Sequence, residues 1–181
     1  MKILALDTST LVTSCALLDG ERVLWESEHE GKAGDVLPGA LRDVAAAEAI
    51  AVGLGPGSFT GLRVGLACAK ALAYARRLPI AGASSLQALA LGQPGLVYAA
   101  TEARKGELFA QPFRGGEPQG PVRIVRAAEL QLPAEARLVG PRIAPSAANV
   151  ARLCLASLRG SQYDAAACFA LAPDYQQGFP A

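Results

Sequence analysis

The sequence predicts a layered α/β protein, and three observations predict it. Residues 2–29 read as a meander of three short strands joined by tight turns. Residues 49–76 read as a strand, a glycine-rich turn and a long helix, the basic unit of an α/β layer. Beyond residue 78, short apolar runs and helical patterns continue to alternate. With 51% hydrophobic and 18% charged residues over 181 positions, the chain can bury a core.

Each element has its own signal. Residues 2–7 form an apolar run that ends in Asp7-Thr-Ser-Thr10, a buried strand leading to a polar turn. Residues 13–18 form a second strand, Asp19-Gly20 is a two-residue hairpin signal, and residues 22–29 alternate as an antiparallel third strand. Residues 35–47 read as a short helix with Asp35 as its N-cap. A brief strand at 49–52 precedes Gly53-Leu-Gly-Pro-Gly-Ser-Phe-Thr-Gly61 and a helix running to about Arg76. A strand at 78–81 is followed by a helix capped by Ser84 or Ser85 and reaching Leu91. Strands are expected at 96–100, 107–113 and 122–125, with a Gly/Pro loop at 115–121. Helices are expected at 145–158 and 164–171, before an irregular tail from Pro173.

Composition narrows the function. Net charge is +1, from 17 basic and 16 acidic side chains, so charge alone predicts neither a nucleic-acid groove nor a membrane patch. Cys15, Cys68, Cys154 and Cys168 have no CxxC spacing, which removes zinc-ribbon and thioredoxin readings. His29 is the single histidine, so no multi-histidine metal site and no metal ligand set is expected. No apolar run approaches the roughly 18 residues of a membrane helix. Asp7 interrupts the opening too early for a signal peptide. A cytoplasmic chain with reduced cysteines is expected.

The long helix carries apolar side chains on two sides. At about 100° per residue, Leu62, Leu66, Ala69, Leu72 and Ala73 share one face, and Val64, Cys68, Ala71 and Ala75 share another. Gly61, Gly65, Ala69 and Ala73 recur at every fourth position, a stripe that admits a close neighbour. Either the chain's own second layer or a protein partner must cover the extra face. For a chain of this length the partner is the favoured reading. Phe59, Gly61, Leu62, Gly65, Leu66, Ala69, Leu72 and Ala73 are the expected contact residues.

Gly55, Gly57 and Ser58 sit where a strand enters a helix. Glycine permits close backbone approach, and a helix N-terminus offers free N–H groups. The turn lacks the Gly-Lys-Ser/Thr of a P-loop, so a plain tight turn with an N-cap is the simpler reading. Asp7, Thr8, Ser9 and Thr10 form a second loop of the kind that holds a metal-bound phosphate, or an ordinary Asx turn. Together the two loops make an anion site worth testing.

These residues carry a resemblance. Ile3-Leu-Ala-Leu-Asp-Thr-Ser-Thr10, the Gly53–Leu66 run, Ala69-Lys-Ala-Leu-Ala73, Ser84-Ser-Leu86 and Glu102-Ala-Arg-Lys-Gly-Glu-Leu-Phe109 resemble the TsaB (YeaZ) family. The resemblance covers residues 1–113 well and the last third weakly. It implies an acetate kinase/Hsp70/actin-like (ASKHA, ribonuclease H-like) fold in two small lobes, here 1–92 and 93–181. It implies a non-catalytic subunit that pairs with a TsaD-like transferase making N6-threonylcarbamoyladenosine in tRNAs that read ANN codons. A TsaE-like ATPase joins the pair, tRNA is met through the complex, and the chain pairs with itself when alone. ATP or ADP would sit at a site shared with the partner. The alternative is a free-standing ATP-binding kinase or hydrolase of the same fold. A peptidase of the M22 type is not expected from a chain with one histidine. The chain departs from the family at residues 32–38, between Val44 and Ala49, and at Tyr175-Gln-Gln177, which lacks a nearby arginine.

Overall fold

A computed structural model describes residues 1–41, 43–104 and 106–176. Lys105 of the Glu102–Phe109 motif and the tail from Gln177 therefore lie outside the described residues.

The first sheet is built from β1 (Lys2–Asp7), β2 (Val12–Asp19), β3 (Arg22–Glu30), β4 (Ala49–Gly53) and β5 (Ile80–Ala83), in the order β3-β2-β1-β4-β5. β1 is antiparallel to β2 and parallel to β4, so the meander and the strand–helix unit meet at β1. Both faces of this sheet are apolar, because each is covered. Leu4, Leu6, Cys15, Leu17, Ile50 and Val52 face α1 (Ala33–Ala40) and α2 (Phe59–Arg76). Ile3, Ala5, Ala16, Leu18, Ala49 and Ala51 face the later helix α4 (Ala147–Leu158). The alanines on that side meet Ala147, Ala148 and Ala151 of the helix, and small side chains on both surfaces let helix and sheet approach closely.

α1 is shorter than the sequence signal and starts earlier. Its N-cap is Lys32, with no side-chain cap bond, and it stops at Ala40. Gly34, Gly39 and Pro38 lie within it, three poor helix residues that prevent a longer run. A single 3-10 turn at Val44–Ala46 then leads to β4, entered through Asp43 at φ 52°. The Arg76 guanidinium donates to Val44 O and, at 3.0 Å, to Ala45 O, and so ties this turn to the end of α2.

The second sheet contains β6 (Leu96–Glu102), β7 (Glu107–Arg114), β8 (Glu117–Pro118), β9 (Arg123–Arg126) and β10 (Ala136–Val139). β10 pairs in parallel with β6, and β8 and β9 both pair with β7. Leu86, Leu89 and Ala90 of α3 (Ser85–Ala90) pack on one face against Val97, Ala99, Phe109 and Phe113. β10 has no counterpart in the sequence reading. Its four residues include one buried side chain, Val139, too little alternation to register as a strand.

Two elements beyond residue 92 pack back on the first layer. α4 belongs to the second segment by position, yet it covers the first sheet. The short α5 (Ala165–Ala170) likewise packs on α2. The chain leaves the first layer, forms the second sheet, and returns because the Ile3–Ala51 face would otherwise be bare. The N-terminus of α4 is fastened by that return. Ala147 N donates to Ser14 Oγ at 3.0 Å, and Ala148 N donates to Glu26 Oε1 at 3.1 Å.

Candidate functional site

Asp7 ends the central strand and is completely buried. Its Oδ1 accepts from Ser9 N at 2.8 Å and from Ser9 Oγ at 2.6 Å, an Asx-type turn. Its Oδ2 accepts from Ser85 Oγ at 2.6 Å. Burial raises the Asp7 pKa above 3.8, and the bonds from Ser85 and Ser9 oppose that rise. Ser85 Oγ in turn accepts from Gly55 N at 3.0 Å. A side chain at Gly53 would overlap Asp7 Oδ2, so only glycine fits beside the carboxylate.

The two loops expected to cradle a phosphate close on each other. Ser58 N donates to Ser9 O at 2.7 Å, and a Cβ on Gly57 would overlap that same carbonyl. Ser58 Oγ accepts from Gly61 N at 3.2 Å and so caps α2. Thr8 is buried, and its Oγ1 donates to Gly61 O at 2.8 Å. Thr10 is half-buried and closes a local turn with Val12. Asp7, Thr8, Ser9, Gly55, Gly57 and Ser58 are thus brought together as the sequence expected, but the space between them is filled by the backbone of Ser9. The glycines serve the chain's own close approach.

The helix face expected to meet a partner is occupied in the same way. Gly61, Leu62, Gly65, Leu66, Ala69 and Ala73 are buried against the chain itself. A Cβ on Gly61 would overlap Thr8 O, and one on Gly65 would overlap Thr8 Oγ1. The small-residue stripe therefore admits the Asp7 loop, and Leu72 is half-buried beside it. Of the eight expected contacts, Phe59 alone is exposed, at 47%. The outward ridge of α2 consists instead of Arg63, Ala67, Ala71, Tyr74 and Ala75. α1 and α5 both pack on this helix. Lys70 Nζ donates to Phe169 O at 2.9 Å, and the Tyr74 and Phe169 rings lie 5.7 Å apart. At the other end Asp174 N donates to Leu54 O at 2.8 Å, and the Tyr175 ring lies 5.0 Å from Phe59.

Two residues of this network have contacts that the sequence reading does not contain. Ser85 was read as an alternative cap, but Ser84 is the cap, accepting from Gln87 N at 3.3 Å. Thr101 Oγ1 donates to Pro56 O at 2.8 Å and ties the second sheet to the glycine turn. No local pattern signals either contact, since each joins positions far apart in the chain.

The model of the family described as TsaD, tRNA N6-adenosine threonylcarbamoyltransferase, matches residues 33–140. The tRNA threonylcarbamoyladenosine biosynthesis protein TsaB of Escherichia coli is 35% identical over 131 residues, 65% of this chain and 57% of that protein. TsaB of Haemophilus influenzae is 37% identical over 123 residues, 60% of this chain and 52% of that protein. YeaZ from Pseudomonas aeruginosa superposes with a TM-score of 0.76 at 25% identity, over 96% of this chain and 99% of that one. The chain belongs to the TsaB (YeaZ) family. It spans little more than half the length of the curated TsaB relatives it matches, 57% and 52% for these two. The sheet order and the YeaZ likeness place it in the acetate kinase/Hsp70/actin-like class expected for the TsaB family. No helix among the described residues is long and apolar enough to cross a membrane.

Proposed function

We infer that the chain is a non-catalytic subunit that supports a TsaD-like transferase in forming N6-threonylcarbamoyladenosine in tRNA. One observation carries this reading: α2 leaves an outward ridge of small and cationic side chains, Arg63, Ala67 and Ala71, with Phe59 and Tyr74 at its ends. Alanines at the centre let a partner helix approach closely, and aromatic ends provide large contact area. The contact moves from the buried stripe to this ridge. A TsaE-like ATPase would join the pair in the cytoplasm, tRNA would be met through the complex, and a second copy would take the ridge when the partner is absent. ATP or ADP belongs at a site completed by the partner. A free-standing kinase or hydrolase fits less well, because both oxygens of Asp7 and the Ser58 N–H already have partners within the chain.

The test is co-purification of the tagged chain from its native cytosol, followed by mass spectrometry. Recovery of a TsaD-like protein, lost in Ala67→Glu, is expected. Equal recovery with parent and variant would remove the ridge from the account, and ATP turnover by the isolated chain would remove the non-catalytic reading.

A further inference from the structure

The second sheet has one face packed on α3 and another that, among the described residues, meets the 127–131 segment rather than an α-helix. On that face the strand registers place Tyr98 of β6 opposite Pro112 of β7, and Ala110 of β7 opposite Arg123 of β9. Ala100 lies opposite Ala110. Ala110 is the small side chain of the lining between the larger Tyr98 and Arg123, and Ala100 beside it is buried. The 127–131 segment adds Leu130 and Gln131 to the lining, and the cavity is about 500 Å³.

Its chemistry is mixed in a specific way. Ala110 and Val125 give an apolar floor, and Leu130 adds an apolar wall. Tyr98, Arg123 and Gln131 line the same space, and none of these three side chains bonds to another described residue. Gln119, also at the rim, bonds to Glu117 O through its Nε2. Glu129 is the one acidic group among the described lining residues, and it lies 3.6 Å from Arg126 rather than on Arg123. A cavity of this size with convergent unpaired polar groups is the usual form of a small-molecule site.

We propose that this cavity binds a nucleoside monophosphate unit. A planar base rests on the apolar floor beside the Tyr98 ring, as unstacked bases rest on aromatic side chains of open sheets. The Gln131 carboxamide offers both a donor and an acceptor to a base edge. Arg123 takes the phosphate in a charge-assisted pair. The site shares no residue with the α2 ridge and does not depend on the subunit reading above. The unit can come from single-stranded RNA or from a free nucleotide.

Adenosine 5′-monophosphate and a labelled single-stranded RNA hexamer serve as probes of the full chain, by calorimetry and fluorescence anisotropy. The expected result is binding that falls at least tenfold in Arg123→Ala and in Gln131→Ala, and stays unchanged in Arg152→Ala on the exposed side of α4. Equal affinity for the two probes identifies free nucleotide as the source, and a preference for the hexamer above tenfold identifies RNA. Tyr98→Phe keeps the ring and the fold, and its binding should fall less than that of Arg123→Ala. No binding of either probe at millimolar concentration overturns the proposal, as does Arg123→Ala binding like the parent. Amide shifts on nucleotide addition should gather at Ala110, Val125 and Leu130; shifts confined to Ser9 and Ser58 would place the ligand elsewhere and overturn it. Partner co-purification by Arg123→Ala separates the two readings: pairing kept with nucleotide binding lost supports this site whatever the partner does.

Discussion

Ser85 Oγ donates to Asp7 Oδ2 at 2.6 Å, joining positions 78 residues apart. The same hydroxyl accepts from Gly55 N, so one serine ties the end of the central strand to the glycine turn. Asp7 thereby acts as a joint within the chain. Removing the joint should cost stability. Ser85→Ala leaves a buried carboxylate oxygen and the Gly55 N–H without this partner, a loss of about 2–4 kcal/mol. Urea denaturation measures it, and a loss below about 0.5 kcal/mol would mean the contact is replaced by another.

The buried Asp7 also sets a pH dependence. Its folded pKa lies above the ordinary 3.8 because burial penalises the charge. The folded state therefore holds the proton more tightly than the unfolded chain does. The stability this contributes is present below about pH 3.8 and is lost as pH rises through the raised folded value. Asp7→Asn has no such titration. Relative to the variant, the parent should lose stability as pH rises above about 4. Denaturation curves across that range check this, and a constant difference between the two proteins would contradict it.

Gly65 and Ala67 stand two residues apart on α2, one buried and one exposed. A methyl at Gly65 would meet buried Thr8 Oγ1, itself bonded to Gly61 O. Gly65→Ala should therefore destabilise by about 1–3 kcal/mol, despite the better helix propensity of alanine. Ala67 is exposed. Ala67→Glu should change stability by less than about 0.5 kcal/mol and abolish pairing with the partner. Thermal melts and size-exclusion chromatography separate the two effects. Normal pairing by a folded Ala67→Glu protein would contradict the ridge.

Much of this was legible in the sequence, and the failures have physical causes. The first three strands, α2 and the capped α3 follow from periodicity and turn chemistry, which are local. The glycine stripe was visible, but its occupant was not. A four-residue spacing admits a partner helix or the chain's own Thr8 equally well, and the choice between them depends on a contact 57 positions distant, from Thr8 to Gly65. The two loops of the phosphate cradle are the same case, since Ser9 comes between them only through the tertiary fold. β10 was missed because a four-residue edge strand carries almost no pattern.

The thiols give a chemical check on the layers. Burial pushes the pKa values of Cys15 and Cys154 up to about 12, one on each face of the first sheet. Both should resist iodoacetamide near pH 8 in the folded chain and react after denaturation, because the thiolate is the nucleophile. Rapid labelling of either in native buffer would show that its helix does not cover the sheet as described.

The return of α4 makes the sharpest test of how the chain is divided. Residues 1–92 contain all five strands of the first sheet and would look like a complete lobe from their order alone. Cut there, the face bearing Ile3, Ala5, Leu18, Ala49 and Ala51 loses Val150, Ala151, Cys154 and Leu158. Each large side chain left exposed forfeits about 1.5–3 kcal/mol of burial, and a domain holds only about 5–15 kcal/mol in total. The 1–92 fragment should therefore fail to fold cooperatively. Addition in trans of a peptide covering residues 143–160 should restore a cooperative thermal transition, through apolar contact and through the Ser14 and Glu26 bonds to the N-terminus of α4. Ser14→Ala with Glu26→Ala in the fragment should weaken that rescue by about tenfold or more. A fragment that melts cooperatively without the peptide would place the stability of the first lobe wholly on the α1 and α2 side of its sheet.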